Sequence, residues 1–224
     1  MYIRNEDTIC APATVPGTGA ISVIRVSGPE ALSIADKVIF CRKGSICEAA
    51  GYTIKFGNIF DASGAVLDEV LVSVFRAPYS YTGENSVEIS CHASSYIVSA
   101  VMDLLYAAGA RAAEPGEFTQ RAFLNGKMDL SRAEAVADII ASDSMWSHNV
   151  ASTQMRGAYS EELQALRDKL LNITSLLELE LDFSEEDVEF ADRTELLSLL
   201  EFSLKKVDSL AQSFSLGNAL KEGV

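Results

Sequence analysis

The chain has 224 residues, of which 48% are hydrophobic, enough to bury one large core or two modest ones. Its net charge of −14 and pI near 4.5 are the reverse of the basic footprint of a stand-alone nucleic-acid binder. Divided at residue 120, the first part carries −5 and the second −9, so neither half is a grip for a polyanion. The chain opens its ordered pattern with a Pro-Gly-Thr-Gly turn at 16–19, followed by AISVIRVS at 20–27, a strand rich in β-branched residues. Residues 29–40 form the first helical pattern, with Pro29 in its first turn. YTIKFGNIF (52–60) and VLDEVLVSVF (66–75) are extended runs around a hairpin signal at 61–64, and VEISCH (87–92) is a short fourth strand. A second helix is predicted over 94–108 from the spacing of Ile97, Val98, Val101, Leu104 and Leu105.

From Pro115 onward the strand signals stop. Pro115-Gly116 opens a short helical pattern that Asn125-Gly126 closes, with Lys127 and Asp129 just beyond. Leu163, Leu166, Leu170, Ile173 and Leu177 then advance by 3, 4, 3 and 4. Leu197, Leu200, Leu204, Val207, Ala211 and Phe214 repeat the alternation. Each is a narrow apolar seam suited to helix–helix packing. The acidic stretch between them reads as a solvated turn joining two antiparallel helices. The sequence therefore predicts an α+β first domain over 1–118 and an all-α domain over 119–224.

Most chemical signals have a plain structural explanation. Gly17 and Gly19 lack the third glycine of a dinucleotide fingerprint, since Ser22 stands there and a strand follows. The turn reads instead as one that lets a neighbour pack closely. DFSEEDVEF (182–190) lacks the central glycine and carboxylate spacing of a calcium loop. Cys91 and His92 point to opposite faces of a strand, so one metal ion cannot take both, and the histidines default to core or surface roles. Glu117 and Arg121 form an i,i+4 pair worth about 0.2–0.5 kcal/mol to a helix, a structural role. No catalytic triad and no metal set can be assembled.

Three charged residues resist dismissal. Arg25 lies inside the apolar strand at 20–27, Glu88 is embedded in SVEIS, and Lys127 follows an Asn-Gly turn. Charged groups are rarely buried unless they are paired or bound to something. The plain alternative is that Arg25 and Glu88 simply pair with each other.

The four cysteines (Cys10, Cys41, Cys47, Cys91) contain no CxxC, and MYIRNEDT lacks the apolar core of a secretory leader. No apolar run approaches the ~18 residues that span a bilayer. A reducing, cytoplasmic compartment is expected, with no membrane association.

Four blocks taken in order, DTICAPATVPGTGAISVIRVSGPEA, SYTGENSVEISCH, PGEFTQRAFLNGKMDLSRAEAVADII and LDFSEEDVEF, closely resemble the front of the tRNA-modifying GTPase MnmE (TrmE) family. The resemblance covers essentially the whole chain. Asn85 replaces the family's usual Asp, and Ala93-Ser94 a common Gly-Gly. The resemblance implies an N-terminal folate domain similar to those of folate-dependent aminomethyltransferases, which also dimerises. It implies next a helical domain into which a Ras-like G domain is inserted. The sequence ends where the family proceeds into that G domain, and no GxxxxGK[ST] occurs, so these residues should not hydrolyse GTP by themselves.

Carried onto this sequence, the family's folate contacts fall on Arg25, Glu88 and Lys127. The implied cofactor is a tetrahydrofolate derivative, 5-formyl or 5,10-methylene, with GTP, Mg²⁺ and K⁺ belonging to the full-length parent. The implied reaction adds an aminomethyl or carboxymethylaminomethyl group at C5 of the wobble uridine of tRNA. The implied partners are a second copy of the chain, a FAD-containing MnmG-type flavoprotein in a heterotetramer, and tRNA gripped mainly by that flavoprotein. Two rivals remain from other classes. A free-standing folate-dependent aminomethyltransferase-like enzyme has no use for the helical seams after residue 160, and a non-catalytic helical dimerisation module binds no folate.

Overall fold

The computed structural model describes residues 7–61, 63–182 and 193–221. It divides into two compact units, residues 1–129 and 130–224. The boundary expected after 118 therefore moves beyond the Asn-Gly turn and Lys127. The physical reason is the short helix at 117–124, whose Glu117, Arg121 and Ala122 are buried within the first unit.

The first unit is a seven-stranded mixed sheet carrying two helices on one face. In chain order it contains β1 (Ile9–Pro12), β2 (Ile21–Ser27), α1 (Ala31–Val38), β3 (Ile39–Cys41), β4 (Thr53–Phe60), β5 (Val66–Phe75), β6 (Ser86–His92), α2 (Ser95–Ala107), β7 (Arg111–Ala112) and α3 (Glu117–Leu124). The spatial order is β3-β4-β5-β6-β2-β1-β7, antiparallel except for the β1–β7 pair. All four strands and both helices expected before residue 110 are present. The three unforeseen strands are two to four residues long, too short to show a period.

Alternation along the strands sorts the two faces. Ile24, Val26, Val70, Val72, Val74, Val87 and Ile89 point toward α1 and α2, where Ala31, Ile34, Ala35, Val101 and Leu105 close the core. The intervening residues share the other face: Arg25 pairs with Glu88, Glu88 with Ser73, and Ser73 with Ile54. That face is open over much of its width, and Ile21, Ile54, Leu71 and Phe40 on it are all about half or more exposed.

The glycine turn before β2 does not do what its composition suggested. A side chain at Gly17 would meet nothing within 4 Å, and one at Gly19 only the Ala93 Cβ at an ordinary 3.7 Å. Close approach occurs instead at Gly57, where an added Cβ would lie 2.7 Å from Ile39 and 2.9 Å from the Phe40 carbonyl oxygen.

The second unit is helical: α4 (Leu130–Ala141), α5 (Met145–Met155), α6 (Ala158–Asp182) and α7 (Arg193–Lys221). Ser144 caps α5 through a reciprocal bond with Ser147. Along α6 the expected seam has Ile173 buried and Leu166, Leu170 and Leu177 partly so, whereas Leu197, Leu200, Leu204 and Val207 on α7 are exposed. The acidic stretch at 183–192, with both its turn and its calcium reading, lies outside the described residues. Among the described residues no helix is long and apolar enough to cross a membrane.

Candidate functional site

Arg25 and Glu88 face each other across the β2–β6 ladder. The pairing that register permits is realised: Arg25 Nε and Nη2 both donate to Glu88 Oε1, at 2.9 and 2.7 Å. Both bonds converge on one carboxylate oxygen, so Oε2 points free of the guanidinium. The side chains remain 24% and 28% exposed, so the pair is not sealed in the core.

Two aromatic rings flank this cation. The Arg25 guanidinium carbon lies 5.0 Å from the Tyr81 ring centroid and 5.6 Å from that of Phe118, within the range of cation–π attraction. Tyr81 belongs to the loop between β5 and β6, and Phe118 to α3. Their positions are coupled, because Tyr81 Oη and Thr119 Oγ1 lie 2.9 Å apart in a hydrogen bond.

Lys127 reaches the same loop from the other side. Its Nζ donates to the Pro78 carbonyl at 3.0 Å. The Asn-Gly turn before it is anchored, with Asn125 Nδ2 donating to the Thr82 carbonyl at 2.7 Å. Gly83 makes this contact possible. Its φ of +80° suits glycine, and a Cβ there would press within 3.2–3.3 Å of Asn125 and the Lys127 stem. With Tyr52, Phe75, Tyr79, Ser80 and Tyr81, Lys127 lines a cavity of about 290 Å³. The structure thus joins Arg25 to Glu88 directly, and links Lys127 to them through Tyr81, which contacts Arg25 and also lines the Lys127 cavity.

Sequence reasoning missed Tyr81 and Phe118, although both sit inside the quoted blocks SYTGENSVEISCH and PGEFTQRAFLNG. It also undervalued Glu117–Arg121. Arg121 is fully buried, and each donor of its fork is used. Nε and Nη2 bond Glu117, Nη2 also bonds Asp7 Oδ1 at 2.6 Å, and Nη1 bonds the Asp7 carbonyl and Glu84. Arg111 adds bonds to Asp7 and Glu117. The Asp7 carboxyl is held below its ordinary value chiefly by the Arg111 bond, with Arg121 adding to it against some burial. Burial pushes Glu117 up, but bonds from Arg111, the Glu114 N–H and Arg121 outweigh it, and its value falls. This network clasps α3 behind the Phe118 ring.

A larger open groove of about 1650 Å³ includes Thr14, Ser22, Glu69, His92, Ser95 and Tyr106 but none of the three expected residues. His92 is not alone there, since its Nδ1 lies 2.6 Å from Asp68 Oδ1. Cys91, its neighbour, is buried, and its thiol is pushed up by burial. Among the described residues no three His, Cys, Asp or Glu side chains converge as a metal set. Asn85 keeps the bond an Asp would make there, its Oδ1 accepting the Ala77 N–H at 3.1 Å.

Residues 8–127 match the family model described as GTP-binding protein TrmE N-terminus, and residues 130–224 that of the MnmE helical domain. The chain is 59% identical over 222 residues to a curated protein of Bacteroides thetaiotaomicron named tRNA modification GTPase MnmE, covering 98% of this chain and 47% of the relative. Proteins of the same name from Flavobacterium johnsoniae and Porphyromonas gingivalis are 55% and 52% identical, over 98% and 100% of this chain and 47% and 48% of theirs. The chain spans about half the length of the curated relatives it matches.

Proposed function

The chain belongs to the tRNA-modifying GTPase MnmE (TrmE) family, and from that premise we propose that its first unit binds a reduced folate at Arg25, Glu88 and Lys127, in the service of C5 modification of the wobble uridine of tRNA. The observation that carries this reading is the Arg25–Glu88 pair beneath Tyr81 and Phe118. A pterin presents a 2-amino group and a ring N–H side by side, and a carboxylate accepts both. Arg25 turns Glu88 toward that task and occupies only Oε1. The flat heterocycle matches the aromatic walls. The donor set therefore fits a 5-formyl- or 5,10-methylene-tetrahydrofolate.

Bound there, the folate supplies the one-carbon unit, and the protein supplies orientation. Glu88 fixes the pterin edge, Arg25 fixes Glu88, and Lys127 places a cation at the far end of the site. GTP hydrolysis with Mg²⁺ and K⁺ belongs to a P-loop domain of the longer parent, since these 224 residues contain no GxxxxGK[ST]. The uncovered sheet face, with Ile21, Phe40, Ile54 and Leu71 exposed, supports pairing of two first units in a homodimer. The −14 charge supports a division of labour in which an MnmG-type flavoprotein grips most of the tRNA. Four free cysteines agree with work in a reducing cytoplasm.

Calorimetric titration of the chain with 5-formyltetrahydrofolate tests the assignment, alongside Glu88→Gln and Lys127→Ala. Binding by the native chain that weakens in both variants is the expected result. Absence of binding, or equal binding in all three proteins, would overturn it.

A further inference from the structure

The half-chain charges of −5 and −9 conceal one local exception. Between Lys37 and Lys55 the sequence holds four cations and a single acid, Glu48, in a chain whose net charge is −14. We propose that this segment, folded as the β3 edge of the sheet, is a contact surface for a single-stranded stretch of nucleic acid. Arg42, Lys43 and Lys55 meet its phosphates, and Phe40 stacks on a base. This contact goes beyond the folate reading and does not rest on it.

The fold turns a cluster in sequence into one in space. β3 is the end strand of the sheet and pairs with β4, with Cys41 opposite Gly57. The Arg42 N–H extends the pairing by donating to the Phe56 carbonyl at 3.3 Å. Lys55 Nζ donates to the Lys43 carbonyl at 3.0 Å, which brings the two lysines together and leaves Lys55 two further donors. Arg42 and Lys43 are both exposed.

The loop that carries these cations is held in place. Asp36 accepts bonds from Ser45 Oγ and the Ile46 N–H at 2.7 and 2.6 Å, so its charge is spent inside the loop. Arg76 clamps the far side by donating to the Ala49 carbonyl at 2.8 Å and to that of Cys47. Glu69 meets Arg42 at 3.5 Å with both side chains more than half exposed. Such a pair is weak, and a phosphate can displace it.

The aromatic rings decide between polyanions. Phosphates ask only for cations, whereas unstacked bases also ask for flat surfaces. Phe40 is 75% exposed and shares a strand face with Arg42, two residues on. As part of the end strand it stands at the rim of the uncovered face. Phe60 braces it edge-on, with ring centroids 6.4 Å apart, and the Arg42 guanidinium lies 4.9 Å over the Phe56 ring. Rings and cations side by side suit splayed bases with phosphates between them. A duplex keeps its bases stacked on one another and has no use for Phe40.

Fluorescence anisotropy on the full chain tests the surface. At about 50 mM salt the native chain should bind a labelled oligouridylate of about twelve nucleotides at least roughly fivefold more tightly than duplex RNA of that length. The slope of log affinity against log salt should be about −2, the mark of three phosphates. Lys43→Glu with Lys55→Glu should weaken binding at least roughly tenfold and flatten the slope. Arg167→Glu with Lys169→Glu on α6 makes the same change in net charge and should leave affinity within about twofold. Phe40→Ala should weaken the single strand about fivefold and keep the slope. Lys43→Gln with Lys55→Gln replaces the glutamate pair if that variant does not fold. Absence of binding, a duplex bound as tightly, or equal weakening by the two charge-reversed pairs would overturn the proposal. Capture by phosphatidylserine vesicles and not by the oligonucleotide would do the same, marking a membrane-facing patch instead.

Discussion

Two arginine–carboxylate assemblies lie within the same unit, built from the same chemical groups toward opposite ends. In one, Arg121 is fully buried and, with Arg111, meets Asp7, Glu84 and Glu117, so every donor of its fork is spent on the protein. In the other, among the described residues, Glu88 is the one carboxylate that Arg25 meets, both side chains are partly exposed, and both bonds fall on a single carboxylate oxygen. A closed network has nothing to offer a ligand, whereas an open pair does. Residual hydrogen-bonding capacity, more than burial or charge, separates the clasp from the candidate site.

The largest expected effect is in the clasp. Removing one partner from a buried ion network leaves uncompensated charge, at a cost of about 3–5 kcal/mol. Arg121→Ala should lose that much in chemical denaturation and release α3, taking Phe118 with it. If its unfolding midpoint matched the native one, the network would be ornamental and the contrast would collapse.

Glu88→Gln should give the opposite signature. Its melting temperature should hold, while 5-formyltetrahydrofolate affinity falls roughly ten- to hundredfold, the worth of a hydrogen bond to a charged group. A variant that loses stability and keeps affinity would make Arg25–Glu88 a second clasp.

A pH titration tests the buried network through two of its carboxylates. Asp7 and Glu117 both have lowered values in the folded chain. Their stabilisation is therefore present above the ordinary carboxylate range and lost as pH falls through and below it, because the unfolded chain takes up protons first. Stability followed by circular dichroism should drop as pH falls below about 4.5, and the drop should be shallower in Glu117→Gln. An equal slope in that variant would remove the network from the acid response.

Much of this was legible beforehand. Long strands and helices announced themselves by period, and Arg25 and Glu88 by a charge inside an apolar run. Arg121 was misjudged for a physical reason: an i,i+4 spacing with Glu117 suggests a helix-surface pair, and only the fold brings Asp7 and Glu84 to the same guanidinium. The aromatic walls were hidden likewise. Tyr52, Tyr79 and Lys127 lie far apart in sequence: β4–β5 pairing brings Tyr52 beside Phe75, and the Asn125-Gly126 turn brings Lys127 to the Gly83 loop.

Tyr81→Phe probes the join between the two assemblies, and its effect should be the smallest. The change keeps the ring over Arg25 and deletes the bond to Thr119, which sits on α3 between Glu117 and Arg121. A partly buried hydrogen bond is worth about 0.5–1.5 kcal/mol net, so stability should fall by no more than that. If the clasp positions the candidate site through this bond, folate affinity should fall in Tyr81→Phe even though none of the three proposed folate contacts has been changed. The Arg121→Ala and Tyr81→Phe losses in affinity should then be less than additive, since both act through the placement of α3. Full additivity would mean that the closed network and the open pair are merely neighbours.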